Sequence, residues 1–120
     1  MYSFKVDPGT RLIRAVVGGH QSAEELEQFS AELQVRARAL HAAAGKFDVL
    51  LDMREALILP QALTAAVQAS MHWLANNGLA RNAYLVGSAL MKMQFNRIAI
   101  SPAFACFQTE KDALTWIAGD

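Results

Sequence analysis

The chain has 120 residues, with eleven Lys and Arg against eleven Asp and Glu, so its formal net charge is zero. That length makes one domain of residues 1–120, long enough to bury roughly two-thirds of its unfolded surface without metals or disulfides. At 53% hydrophobic and 18% charged residues the composition excludes a disordered tail, and a neutral surface offers no general positive field for nucleic acid or an anionic membrane.

The elements follow in order. Tyr2, Phe4 and Val6 alternate with Ser3, Lys5 and Asp7, the period of a strand with one wet face. Asp7-Pro8-Gly9-Thr10 reads as a tight turn with Gly9 supplying the positive φ, and Leu12 to Val17 as the returning strand. Gly18-Gly19-His20-Gln21 breaks it. Ser22-Ala23-Glu24-Glu25 forms a capping box, in which Glu25 reaches back to the cap. Leu26, Phe29, Leu33, Ala37 and Leu40 then make the apolar stripe of a long helix over about residues 22–44, with Gly45 as its stop.

Phe47 to Leu51 is a short apolar run expected of a strand covered on both faces. Pro60 suits the first turn of a second helix carrying Leu63, Val67, Met71 and Leu74, with Asn77-Gly78 as its exit. Ala83 to Val86 predicts another buried strand, and Gly87-Ser88 a turn and N-cap. A third helix runs from Ala89 to about Ile100 and stops before Ser101-Pro102. Phe104 to Phe107 is a last strand, and Thr109 opens a final helix carrying Leu114, Trp116 and Ile117. The order β-β-α-β-α-β-α-β-α implies an α/β fold: a mostly parallel five-stranded sheet with one antiparallel strand added by the N-terminal hairpin.

The N-terminal hairpin, the Gly19-His20-Gln21-Ser22-Ala23-Glu24-Glu25 approach to the long helix, and Phe47-Asp48-Val49-Leu50-Leu51-Asp52 resemble the SpoIIAA-like superfamily. So do Tyr84-Leu85-Val86-Gly87, the stretch Leu90 to Ile98 with Gln94 and Arg97, and Phe107 to Asp112 followed by Ala113-Leu114-Thr115-Trp116-Ile117. That superfamily contains the STAS domains and shares a β/α superhelix with the CRAL-TRIO lipid-binding domains; the likeness is greatest to small bacterial STAS-like proteins of unassigned function. The resemblance implies a SpoIIAA-like β/α superhelix and a protein-binding role. One departure bears on function: anti-sigma-factor antagonists of the group carry a phosphorylatable Ser or Thr at the start of the second helix. Here that stretch is Leu59-Pro60-Gln61-Ala62-Leu63, with no acceptor, and Thr64 lies a turn further in. Partner switching by an added phosphate is therefore disfavoured.

Candidate chemistry concentrates beyond the carboxyl ends of the strands, where ligands of open α/β sheets sit. His20-Gln21, Asp52 to Glu55, Gly87-Ser88 and Gln108-Thr109 converge there. Asp52 with Arg54 is a candidate for orienting a polar ligand, against the plainer role of closing a loop. Gly87 and Ser88 expose backbone N–H groups at a helix start, with Lys92 one turn on, against a simple N-cap. Met71, Met91, Met93, Trp73 and Phe95 are candidates for a pliable pocket or partner groove, against core packing. Not every apolar group from Leu90 to Ile98 can face one sheet, so some must meet solvent, another subunit or a ligand.

No catalytic constellation is visible. His20, His41 and His72 have no Cys or acid at a ligand spacing, so no metal is expected. Cys106 lies in an apolar strand without a base, and Ser88 lacks triad partners. A lone Cys106 fits a reducing compartment, and no signal-peptide or membrane-length apolar run is present, so the expected location is cytoplasmic. The expectation is a non-enzymatic STAS-like binding or regulatory module without cofactor. It acts through protein contacts, as a homodimer over residues 60–98 or with another protein; the alternative is a small apolar ligand or lipid.

Overall fold

The computed structural model describes residues 1–20 and 22–119. Its elements in chain order are β1 (Tyr2–Asp7), β2 (Leu12–Val17), α1 (Ala23–Ala44), β3 (Phe47–Met53), a 3-10 turn (Gln61–Leu63), α2 (Thr64–Ala75), β4 (Leu79–Val86), α3 (Ala89–Ile98), β5 (Phe104–Phe107) and α4 (Glu110–Ile117). The five strands lie in the sheet in the order β1-β2-β3-β4-β5. Only the hairpin pair β1–β2 is antiparallel; β2–β3, β3–β4 and β4–β5 are parallel. Each crossover therefore sets the next strand beside the last, the expected mixed sheet.

Alternation along the strands divides the interior into two cores. Ile13, Ala15 and Val17, with Val49, Leu51, Met53, Tyr84, Val86 and Cys106, face α1, α2 and α3. Leu50, Ala83 and Leu85 face α4 through Ala113. This two-sided cover is why the middle of β3 reads as an unbroken apolar run. α1 buries Phe29, Leu33, Ala37 and Leu40, the stripe expected from its spacing, and ends at Gly45 with φ +84°.

Several local expectations are corrected. In the hairpin the positive φ falls on Arg11 (54°) and not Gly9; Asp7 Oδ1 accepts from the Gly9 and Thr10 amides, which leaves the reversal to the next residue. Ser22 caps α1 as expected, accepting from the Glu25 amide at 3.1 Å. The Glu25 carboxylate, however, takes the terminal ammonium of Met1 at 3.1 Å, which also holds its pKa below the usual range. α2 does not start at Pro60, which precedes the 3-10 turn; the α-helix begins at Thr64. β4 begins four residues before Ala83, because the Arg81 amide donates to the Asp48 carboxylate at 3.1 Å and Asn82 pairs with Val49. α3 ends at Ile98, where extended Ala99 breaks it.

Candidate functional site

Beyond the carboxyl ends of the strands, two of the four expected segments, Asp52 to Glu55 and Gly87-Ser88, meet, and the neighbours of the other two, Gly19 and Glu110, reach the same place. Gly19 donates to the Glu55 carbonyl at 2.9 Å, and Leu57 donates back to the Gly19 carbonyl at 3.0 Å. These bonds extend the β2–β3 pairing past the strands, with Gly19 opposite Ala56. Gly87 lies against the backbone of Arg54: a Cβ there would sit 2.8 Å from the Arg54 carbonyl oxygen. From β5, the segment into α4 brings Glu110 to Arg54 at 3.9 Å. His20 is exposed, and Gln21 lies outside the described residues.

Asp52 is buried on the α4 face, 8% exposed. Its carboxylate accepts from the Arg54 amide at 3.1 Å, from Nε at 3.0 Å and from Nη2 at 2.7 Å, a closed bidentate fork. The guanidinium holds the Asp52 pKa below its ordinary value, outweighing burial. Glu110 in turn pairs with Arg14 of β2. Two acids and two arginines from β2, β3 and α4 thus neutralise one another, and the fork is occupied by closing its own loop. The long-range members, Arg14 and Glu110, escaped the sequence reading because nothing local marks them.

Ser88 accepts from the Met91 amide at 3.1 Å, which makes it the N-cap of α3. Gly87 and Ser88 are exposed, and Lys92 is half-buried. On α3 the apolar residues separate cleanly. Met91, Phe95 and Ile98 are buried, with Phe95 tilted against the Tyr84 ring at 4.8 Å. Leu90 is 58% and Met93 59% exposed. Met71 belongs to the core, so of the expected pocket residues only Met93 and half-buried Trp73 keep open surface.

A residue outside the expected set organises this end. The Gln94 side chain donates to the Leu59 carbonyl at 2.7 Å and accepts from the Leu59 amide at 3.2 Å. The segment from Arg54 to Leu59 is therefore fixed alongside α3 at both ends, by Gly87 and by Gln94. Between those ties it carries Leu57 and Ile58, 59% and 51% exposed. Leu57, Ile58, Leu90 and Met93 are thus exposed apolar groups on two adjoining elements. Among the described residues no group of three or more His, Cys, Asp and Glu is placed to hold a metal, and no helix is long and apolar enough to cross a membrane.

No family model matches the chain, and no curated protein matches it. Among solved structures it is similar to an uncharacterised DUF3478-family protein with a SpoIIAA-like fold from Shewanella loihica PV-4, at 19% identity, TM-score 0.66, over 98% of this chain and 92% of that one. It is also similar to the anti-sigma factor antagonist SpoIIAA in its unphosphorylated form, at 17% identity, TM-score 0.62, over 98% of both chains. The chain has the SpoIIAA-like α/β fold.

Proposed function

We propose that the chain is a non-catalytic cytoplasmic binding module that docks protein over the apolar end built by Leu57, Ile58, Leu90 and Met93, with a second copy of itself as the first occupant. The observation carrying this reading is the exposure of Leu57 and Ile58, on a segment tied to α3 through Leu59, together with that of Leu90 and Met93 on α3, with Arg54 and Glu55 exposed earlier in the same segment. An exposed apolar cluster with a polar rim is the form of a protein interface. A twofold contact would set the same apolar groups of each copy against those of the other. Zero net charge leaves no long-range repulsion between copies. The likeness to an anti-sigma factor antagonist supports a regulatory setting, although Pro60-Gln61-Ala62 offers no phosphoryl acceptor.

Sedimentation equilibrium tests the reading. The expected result is a dimer that Leu57→Asp with Met93→Asp converts to a folded monomer. A strict monomer at millimolar concentration overturns self-docking. Ligand binding is favoured by a separate observation, the interior cavity described next.

A further inference from the structure

Among the described residues, two buried polar side chains on β4 each keep a polar atom without a hydrogen-bond partner, the Tyr84 hydroxyl and the Asn82 oxygen. Asn82 is 2% and Tyr84 5% exposed. They stand two residues apart on the same strand face, and both line a cavity of about 50 Å³ between the sheet, α1 and α2. Among the described residues the Tyr84 hydroxyl makes no hydrogen bond, and burial first, then the neighbouring Cys106, raises its pKa. The Asn82 amide nitrogen makes two long bonds, 3.4 Å to the Val49 carbonyl and 3.3 Å to that of Ala83, and its oxygen receives none. A buried donor and acceptor left unpaired beside empty space are costly and call for an occupant.

The remaining wall fixes the chemistry of that occupant. It is apolar, with Phe29, Leu33, Leu51 and Leu74 prominent, and among the described residues no Lys, Arg, His, Asp or Glu lines it. A charged head would meet no counter-charge there. Leu26, Ser30 and Ser70 line both this cavity and the open groove between α1 and α2, so the interior communicates with solvent past two small hydroxyl residues. The volume has room for about four water molecules, which admits a head group and a few carbons but not a long lipid chain.

We propose that the cavity binds a small neutral amphiphile with a hydroxyl head. The hydroxyl accepts from Tyr84 and donates to the Asn82 oxygen, and its alkyl chain leads out past Leu26 between α1 and α2. The site is independent of the docking patch, none of whose four exposed residues lines it.

The test uses 1-hexanol and hexanoate as probes, followed by NMR titration and thermal unfolding. Hexanol is expected to give saturable shifts at Tyr84 and Asn82 and to raise the unfolding midpoint, while hexanoate does neither. Tyr84→Phe is expected to weaken hexanol binding about tenfold while leaving the free protein's midpoint equal or higher, since it removes an unpaired hydroxyl. Ser70→Leu, at the half-buried mouth, abolishes the hexanol shifts without altering the fold. Absent shifts, equal binding of hexanoate, or undiminished binding in Tyr84→Phe each overturn the proposal. So does a lowered midpoint in Tyr84→Phe, which means that ordered water alone satisfies the hydroxyl.

Discussion

The side-chain amide of Gln94 on α3 completes both backbone hydrogen bonds of Leu59, donating at 2.7 Å and accepting at 3.2 Å. The amide behaves here as a missing strand neighbour. It satisfies a buried residue on a segment that has left the sheet and not yet entered a helix, where backbone groups need partners. Leu59, 4% exposed, is thereby fixed in the core while Leu57 and Ile58 remain outside. Gln94→Met keeps the length and removes both bonds, and is expected to cost about 1–3 kcal/mol. Gln94→Glu keeps the acceptor but sets a carboxylate against the Leu59 carbonyl, and recovers stability only when acid restores a donor. Urea unfolding of both variants at pH 7 and pH 4, with hydrogen exchange at the Leu59 amide, checks this; unchanged exchange contradicts it.

Asp48 and Asp52 lie four residues apart on one face of β3 and titrate in opposite senses. Arg54 lowers the Asp52 pKa from 3.8, so its stabilisation is present above that value and is lost as pH falls through the folded one. Burial raises the Asp48 pKa from 3.8, against the opposing hydrogen bond from the Arg81 amide. Its penalty accordingly appears as pH rises from 3.8 through the folded value. With Arg54 nearly half exposed, Asp52→Asn is expected to cost about 1 kcal/mol at pH 7 and to flatten the acid limb. Asp48→Asn, which keeps the acceptor, stabilises at pH 7 and changes little at pH 2. Denaturant midpoints between pH 2 and 7 decide both signs.

Gly87 separates a structural from a ligand-holding role. A Cβ there would stand 2.8 Å from the Arg54 carbonyl oxygen and 3.5 Å from its carbon, both backbone atoms that cannot swing aside. Gly87→Ala therefore shifts the Arg54 segment, costs about 1–3 kcal/mol, and moves the amide resonances from Arg54 to Ala56. At Gly18 the nearest atom to an added Cβ is that of Glu55 at 3.6 Å, an ordinary contact. Gly18→Ala is accordingly expected to stay within about 0.5 kcal/mol. Equal effects at the two glycines would sink this account of Gly87.

The hydrophobic periods made the element order and the two-sided core legible. Phe47 to Leu51 announces a covered strand, and Phe29, Leu33, Ala37 and Leu40 one helix face. What stayed hidden depends on partners distant in the chain. Arg81 and Asn82 carry no strand signature and join β4 because Asp48 and Val49 pair with them. Pro60 is as good an opening for a 3-10 turn as for an α-helix, and it opens the turn. Asp52 and Arg54 are close in sequence, so their fork was foreseeable, whereas Arg14 and Glu110 complete it from opposite ends of the chain. The surplus of apolar residues on α3 was visible, and packing decided that Leu90 and Met93 carry it.

Cys106 gives a probe of the edge strand. It lies on β5 opposite Tyr84, 6% exposed, and burial pushes its thiol pKa up to about 11. At pH 8 only about one thiol in a thousand is then the reactive thiolate, and that fraction is sterically shielded. β5 is an edge strand of four residues, so it opens locally before the central strands do. Labelling by an aromatic disulfide reagent is therefore expected to be slow in the native protein and to accelerate in urea concentrations below the global transition. Tyr84→Phe, which leaves Cys106 covered, preserves that slow rate. Rapid stoichiometric labelling at pH 7 without denaturant would contradict the buried thiol, and labelling that begins only with global unfolding would contradict early opening of β5.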